Sequence, residues 1–235
     1  MKIAANFEQR IVVHSVSLPW VESPMPGVDR RALDRVGDEV ARATTIVRYA
    51  PNSAFSEHVH TGGEEFVVLE GVFQDEHGDF PADSYVRNPP QSKHKPRSDK
   101  GCIIFVKLWQ FQPDDRTHVR LQTSLMESHQ HPSIVGLNVT ALYKDEYEEV
   151  SLLHFEPNVE FTFNGKGGAE LLVLEGALTE HSDTLVKHSW LRSPVNSIIK
   201  GKAGKDGAKV WMKTGHLTDV QNQITRVNHQ RNQHN

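Results

Sequence analysis

Short runs of β-branched, aliphatic and aromatic residues, cut off by Gly, Pro, Asn and Asp, dominate this chain. Thr44-Thr45-Ile46-Val47-Arg48-Tyr49 and Glu149-Val150-Ser151-Leu152-Leu153-His154-Phe155 are examples. Their length, side-chain type and flanking turn residues predict strands. Gly101-Cys102-Ile103-Ile104-Phe105-Val106-Lys107-Leu108-Trp109 reads as a strand buried on both faces. Arg10-Ile11-Val12-Val13-His14-Ser15-Val16 predicts one more strand, able to pair within or between subunits. No long helical periodicity is visible, so the predicted class is all-β.

The pattern also repeats, which decides the domain organisation. Arg48-Tyr49-Ala50-Pro51-Asn52-Ser53-Ala54-Phe55 lines up with His154-Phe155-Glu156-Pro157-Asn158-Val159-Glu160-Phe161. Glu65-Phe66-Val67-Val68-Leu69-Glu70-Gly71 lines up with Glu170-Leu171-Leu172-Val173-Leu174-Glu175-Gly176, and Arg87-Asn88-Pro89 with Arg192-Ser193-Pro194. Two tandem antiparallel jelly-roll barrels satisfy this arrangement, and closing each sheet limits its exposed edges. The expected division is a first barrel with the N-terminal strand over residues 1–120, a second over 121–218, and a polar, mobile tail over 219–235.

Chemistry concentrates at one place. His58-Val59-His60-Thr61-Gly62-Gly63-Glu64 puts two imidazoles on one face of a strand, because alternate side chains share a face. A Gly-Gly turn then brings Glu64 back beside them, and His94 follows the proline-containing turn Asn88-Pro89-Pro90. Three ring nitrogens and a carboxylate converging in an apolar barrel suit a divalent transition metal.

The spacing HxHx(3)Ex(6)G, followed by that turn and a histidine, resembles the two motifs of the cupin superfamily. The run Val68-Leu69-Glu70-Gly71-Val72-Phe73-Gln74-Asp75-Glu76-His77-Gly78-Asp79-Phe80, with Tyr85-Val86-Arg87-Asn88-Pro89-Pro90, more narrowly resembles the cupin-like domain of ChrR-type anti-sigma factors. The resemblance covers residues 20–115 closely and the rest loosely, and it implies a bicupin. It also implies the metal ligands His58, His60, Glu64 and His94. Ala82-Asp83 departs from it, standing where a glycine is expected in the turn, a change for the loop and not for the site.

Carried through the repeat, His58 falls on Asn164, His60 on Lys166, Glu64 on Ala169 and His94 on Ile199. The offset passes from 106 to 105 in the metal loop, so the second copy is expected to lack one residue there. No ligand survives, and the second barrel is expected to hold no metal. His181 and His188 read as surface or loop residues, and His229 and His234 as isolated histidines in the polar tail.

Composition narrows the reading further. Net charge is -4 with histidines neutral, which supplies no electrostatic attraction for nucleic acid or anionic membrane. No apolar run reaches the ~20 residues of a membrane-spanning helix, and residues 1–8 show no apolar core of a signal peptide. Cys102 is the only cysteine, so an internal disulfide is excluded. A reducing, cytoplasmic location is expected, with Cys102 a small core residue and not a redox centre.

Two functions fit. The resemblance implies a regulatory or sensory module holding one divalent metal in the first barrel, zinc first, with iron, nickel or manganese compatible. The alternative is an Fe(II)-dependent dioxygenase cleaving a β-diketone or aryl ketone. Its pocket would draw on Phe66, Phe73, Tyr85 and Trp109, with Arg87 either orienting an anion or capping its own loop. Expected partners are a second copy in a homodimer, a regulatory protein, and a small molecule in the first barrel. Direct sigma-factor contact is not expected: the segment before His58 is short, and a single cysteine cannot build the Cys-x-x-Cys pair of the helical zinc domain that the resemblance implies for that role.

Overall fold

The computed structural model describes residues 1–232. They form an all-β chain with one α-helix, Val220–Asn232, among the described residues. Two compact units emerge. The first combines residues 1–5, 19–124 and the chain from Gln221 onward; the second combines 6–18 and 125–220.

In the first unit the main sheet runs Lys2–Ile3, Val28–Gly37, Ala41–Tyr49, Cys102–Leu108, Glu64–Asp75, Ser84–Asn88, Val119–Gln122. A separate ribbon pairs His58–His60 with Ser92–His94. The inward residues Val47, Phe66, Val68, Phe73, Val86, Ile104 and Val106 build the core, as period-two strand patterning requires. In the second unit the sheet runs His129–Gln130, Leu137–Lys144, Glu149–Phe155, Ser197–Thr214, Ala169–Glu180, Ser189–Ser193, Ile11–His14. Leu153, Phe161, Leu171, Val173, Leu191, Ile199 and Val210 form its core.

These divisions differ from breaks at 120 and 218. The predicted N-terminal strand forms, as Ile11–His14, but it pairs with Ser189–Ser193. The equivalent place beside Ser84–Asn88 is taken by Val119–Gln122. Both edge strands run into a 3-10 turn, Ser15–Ser17 and Thr123–Leu125. The Ser15 and Thr123 hydroxyls donate to the carbonyls of His188 and Asp83 respectively. The repeat therefore includes its edge strand, a similarity too short and too polar to register in the sequence. Val220–Asn232, within the segment expected to be a mobile tail, forms the helix: Gln223 accepts from buried Arg42 at 2.8 Å, and Arg226 donates to the Phe111 carbonyl at 3.0 Å. Those contacts satisfy polar side chains that composition alone assigns to solvent. Residues 233–235, with His234, lie outside the described residues. No helix among the described residues is long and apolar enough to cross a membrane.

Both sheets bury a matching set of charged and aromatic residues on the face away from the barrel core. Register sets Arg87 opposite Glu65 and Glu65 opposite Lys107; Arg192, Glu170 and Lys213 stand in the same order. All six are at most 1% exposed. Tyr85 donates to Glu65 at 2.6 Å, and Trp190 to Glu170 at 3.1 Å. Partners are necessary here, because an isolated buried charge is strongly destabilising.

Candidate metal centre

The short ribbon builds the site. His58 and His60 project from one face of their strand, and antiparallel register sets His94 opposite His58. The three ring centroids lie 4.6–5.1 Å apart, and one ligand atom from each ring lies within 4.8 Å of the others. His60 and His94 are buried while His58 is exposed, so the cluster has a closed and an open side. Glu64, the first residue of the strand after the Gly-Gly turn, places Oε2 at 3.4 Å from His60 Nε2 and 3.6 Å from His94 Nε2. The three histidines thus cluster, and Glu64 lies beside two of them, His60 and His94.

The turn that delivers Glu64 is tightly constrained. Gly63 adopts φ +78°, and a Cβ on Gly62 would sit 2.1 Å from the Trp109 ring. Trp109 itself holds φ +62°, an uncommon conformation for a side-chain-bearing residue. Asp83, where a glycine is expected, also holds a left-handed φ of +69°, which Asp tolerates better than most residues.

Hydrogen bonds fix which nitrogen two of the rings present. Asp75 Oδ2 accepts from His94 Nδ1 at 3.2 Å, and the Ser56 carbonyl lies 3.3 Å from His58 Nδ1. Each contact keeps the proton on Nδ1 and leaves Nε2 as a lone-pair donor, the arrangement by which carboxylates and carbonyls orient metal-binding histidines. Asn88 donates to Glu64 Oε2 at 3.2 Å. His60 Nε2 is buried with no hydrogen-bond partner. Burying a polar nitrogen without a partner is costly, and a cation accepting that lone pair removes the cost. The donor set fits a divalent metal.

Electrostatics agree. Burial works against ionising Glu64, but His60, His94 and Asn88 together outweigh it and hold the carboxyl below its ordinary range. Burial lowers His60, favouring the neutral ring that a metal requires. Burial also opposes protonation of His94, yet Asp75 and Glu64 overcome it and raise the ring. Asp75 is the residue that sequence reading missed. It ends the long strand Glu64–Asp75, and nothing in its spacing announces that this strand returns beneath His94.

A cavity of about 350 Å³ opens on the cluster, lined by His58, His60 and Glu64 at one end and by Val47, Ile104 and Val106 along its wall. Of the four aromatic pocket candidates, only Trp109 lines it. Phe66 and Phe73 are core, and Tyr85 turns to Glu65 on the opposite face. Arg87 pairs with Asp115 at 2.8 Å and stacks over Phe111, which places it with the loop and not the cavity. Cys102 is buried, and burial pushes its thiol up to about 11. His181 and His188 occupy turn positions with φ of +51° and +63°, and His229 is exposed on the helix.

Backbone register corrects the mapping into the second barrel. Gln91 donates to the His60 carbonyl and Asn196 to that of Gly165; Gly63 donates to His60 and Gly168 to Gly165. His60 therefore corresponds to Gly165 and His58 to Phe163, which pairs with Ile199 as His58 pairs with His94. The missing residue lies between Phe55 and His58, not in the metal loop. The four positions carry Phe163, Gly165, Ala169 and Ile199, the last two wholly buried in hydrocarbon and Phe163 packed against the same cluster. Exposed Lys166 lies outside them. Among the described residues, His58, His60 and His94 form the one grouping of three or more His, Cys, Asp or Glu placed to hold a metal.

The fold is that of a cupin. Residues 8–112 match the family described as the ChrR Cupin-like domain, so it is a ChrR-like cupin domain that carries the histidine cluster. No curated protein matches the chain in sequence. Among solved structures, it is similar to a protein proposed to be a dioxygenase from Nostoc punctiforme, at 17% identity over 87% of this chain and 82% of that one, with a TM-score of 0.71. It is also similar to the bacterial pirin YhhW from Escherichia coli in complex with nickel(II), at 11% identity over 88% and 99%, TM-score 0.63. A cupin 2 conserved barrel protein from Leptotrichia buccalis gives 11% identity over 83% and 92%, TM-score 0.56. At these identities the likeness is one of fold.

Proposed function

We propose that the first barrel holds one divalent metal through His58, His60, Glu64 and His94, and acts there on a small molecule bound in the adjoining cavity. The observation that carries this reading is that the exposed His58, with His60 and Glu64, lines the cavity, so that the cluster is not enclosed. A metal used only to staple the fold is enclosed by its ligands, whereas a working metal keeps a position open. Bound there, the ion supplies Lewis acidity and a place for a ligand oxygen. The protein's residues do the rest. Asp75 and the Ser56 carbonyl hold two rings in the ligating tautomer, Asn88 steadies Glu64, and the wall of Val47, Ile104 and Val106 excludes water. Within this reading an Fe(II)-dependent oxygenase is the enzyme class that an open three-histidine, one-carboxylate site suits.

A second reading rests on the family match: a zinc-holding regulatory module with a protein partner, in which four protein ligands complete a tetrahedron. Elemental analysis of protein purified without added metal, with oxygen uptake on β-diketones and aryl ketones, separates the two. Iron near one per chain with substrate-dependent uptake supports the oxygenase. Zinc near one per chain with no uptake supports the module, and no metal above background in a folded protein sinks both.

A further inference from the structure

Of the polar side chains that line the cavity outside the metal centre, which also include Arg35, Glu39, Thr45, Thr61 and Gln230, two stand out. Arg30 lines it, half-buried, and has no hydrogen bond or ion pair with any described residue. This is unusual among the chain's arginines: Arg35 donates to the carbonyls of Gly37 and Asp38, Arg48 pairs with Asp29, and Arg42 pairs with Asp34. Tyr49 lines the same cavity, its ring packed edge-on against Phe55 and Phe73, and its hydroxyl has no hydrogen-bond partner among the described residues. Register places Arg30 directly across from Val47, two residues from Tyr49 on the same face. The guanidinium and the phenol are thus diagonal neighbours on one patch of wall. Burial holds the phenol far above its ordinary value, so Tyr49 remains a hydrogen-bond donor at any physiological pH.

The second barrel supplies an internal control. Leu137–Lys144 pairs with Glu149–Phe155 as Val28–Gly37 pairs with Ala41–Tyr49, and both pairings carry a register shift at matching places. Arg30 then corresponds to Val139 and Tyr49 to Phe155, both packed in hydrocarbon. The cation and the phenol disappear together with the metal ligands. A merely structural role, like that of the charged row Glu65, Arg87 and Lys107, persists in both barrels. Glu39 and Glu64 are the carboxylates that line the cavity; Glu39 is exposed at its edge, and Glu64 is engaged by His60, His94 and Asn88.

Building on the metal-centre reading, we infer that Arg30 and Tyr49 form an anion subsite, so that the ligand is a small, apolar-bodied carboxylic acid with a second oxygen for the metal, such as an oxo acid, and not a neutral diketone. Arg30 receives the carboxylate, Tyr49 donates to it, and the aliphatic wall takes the body. One well-formed hydrogen bond to a charged group gives a preference of about 10- to 150-fold.

Titration calorimetry on the purified full chain, metal-loaded and chelator-treated, tests this with two probes: 3-benzoylpropionate and butyrophenone, an aryl ketone with and without the carboxylate. The acid is expected to bind at least about tenfold tighter. Arg30→Gln abolishes that preference, Arg30→Lys keeps part of it, and Tyr49→Phe weakens it, with metal content and melting temperature unchanged in all three. Equal binding of the probes, binding of neither, or a preference that survives Arg30→Gln overturns the subsite. Failure of the metal reading has a different signature: no bound metal, with the acid preference intact in a folded apo-protein.

Discussion

The two barrels share sheet order, turn geometry and a buried charged row, yet differ at the four ligand positions and at two polar positions on the first barrel's cavity wall. Where one carries His58, His60, Glu64 and His94, the other carries Phe163, Gly165, Ala169 and Ile199; where one carries Arg30 and Tyr49, the other carries Val139 and Phe155. The row Glu65, Arg87 and Lys107 reappears as Glu170, Arg192 and Lys213. Duplication separates two kinds of buried polarity. Charges that pair with one another hold the fold and are needed twice. Charges that wait for something absent from the chain are needed once.

The largest expected contrast is in metal content. His60→Ala or Glu64→Ala removes a ligand and should lower occupancy beyond the about 10–100-fold typical of losing a mere supporting partner. Phe163→Ala and Lys166→Ala should leave occupancy unchanged. Elemental analysis of the four variants checks this, and metal lost on changing either second-barrel residue would break the division of labour.

Stability should show the converse. Ile199 is fully buried in the second core, so Ile199→Ala should cost about 2–5 kcal/mol, with or without chelator. His94→Ala at the equivalent place should cost markedly more in metal-loaded than in chelated protein, because it loses the stabilisation of a ligand bound to the native state in addition to the Asp75 contact. Denaturant melts with and without chelator separate the cases. A metal-dependent cost for Ile199→Ala would mean that the second barrel is not the inert control it is taken for here.

Asp75→Asn probes the support of the site. It removes the carboxylate that holds the proton on His94 Nδ1, and metal affinity should fall about 10–100-fold. The pH dependence has a definite sign. Without metal, His94 titrates above its ordinary value of about 6.5, so its contribution to apo stability is complete below that value and fades as pH rises through the raised one. Metal binding requires the neutral ring and strengthens over the same interval. The gap in melting temperature between loaded and chelated protein should therefore widen from pH 6 to pH 8, and less so in Asp75→Asn. A gap that narrows with rising pH would contradict the ligand set.

The all-β class, the tandem repeat and the histidine cluster were legible in the sequence because each rests on short-range order: period-two strands, motif spacing, a Gly-Gly turn. What escaped depends on register or on long-range return of the chain. Asp75 meets His94 only because a twelve-residue strand curls back beneath the ribbon. The one-residue offset between Phe55 and His58 is invisible without the hydrogen bonds that count it, and aligning by letters alone set Lys166 where Gly165 stands. The helix Val220–Asn232 was missed because its anchors, Gln223 and Arg226, are polar and satisfy buried partners instead of filling an apolar stripe.

The smallest expected effect concerns Trp109 and Gly215, equivalent residues that each donate to the carbonyl of the second glycine in the turn, Gly63 or Gly168. Both backbones are left-handed, at φ +62° and +88°. The second barrel uses glycine there and has no room for more, since a Cβ would lie 2.5 Å from the Tyr147 carbonyl oxygen. The first carries the largest side chain available, laid across Gly62 at the cavity wall. Holding a non-glycine residue in that region costs about 1–3 kcal/mol, a penalty that glycine avoids but partly returns through unfolded-state entropy. Trp109→Gly should therefore change apo-protein stability by less than about 1 kcal/mol, the lost ring packing offsetting the strain relieved. Gly215→Ala should be plainly destabilising. If Trp109→Gly proves as damaging to the chelated fold as Gly215→Ala, the indole is a packing residue of the turn. If the chelated fold tolerates it while 3-benzoylpropionate binding weakens, the strain at Trp109 is retained for the cavity.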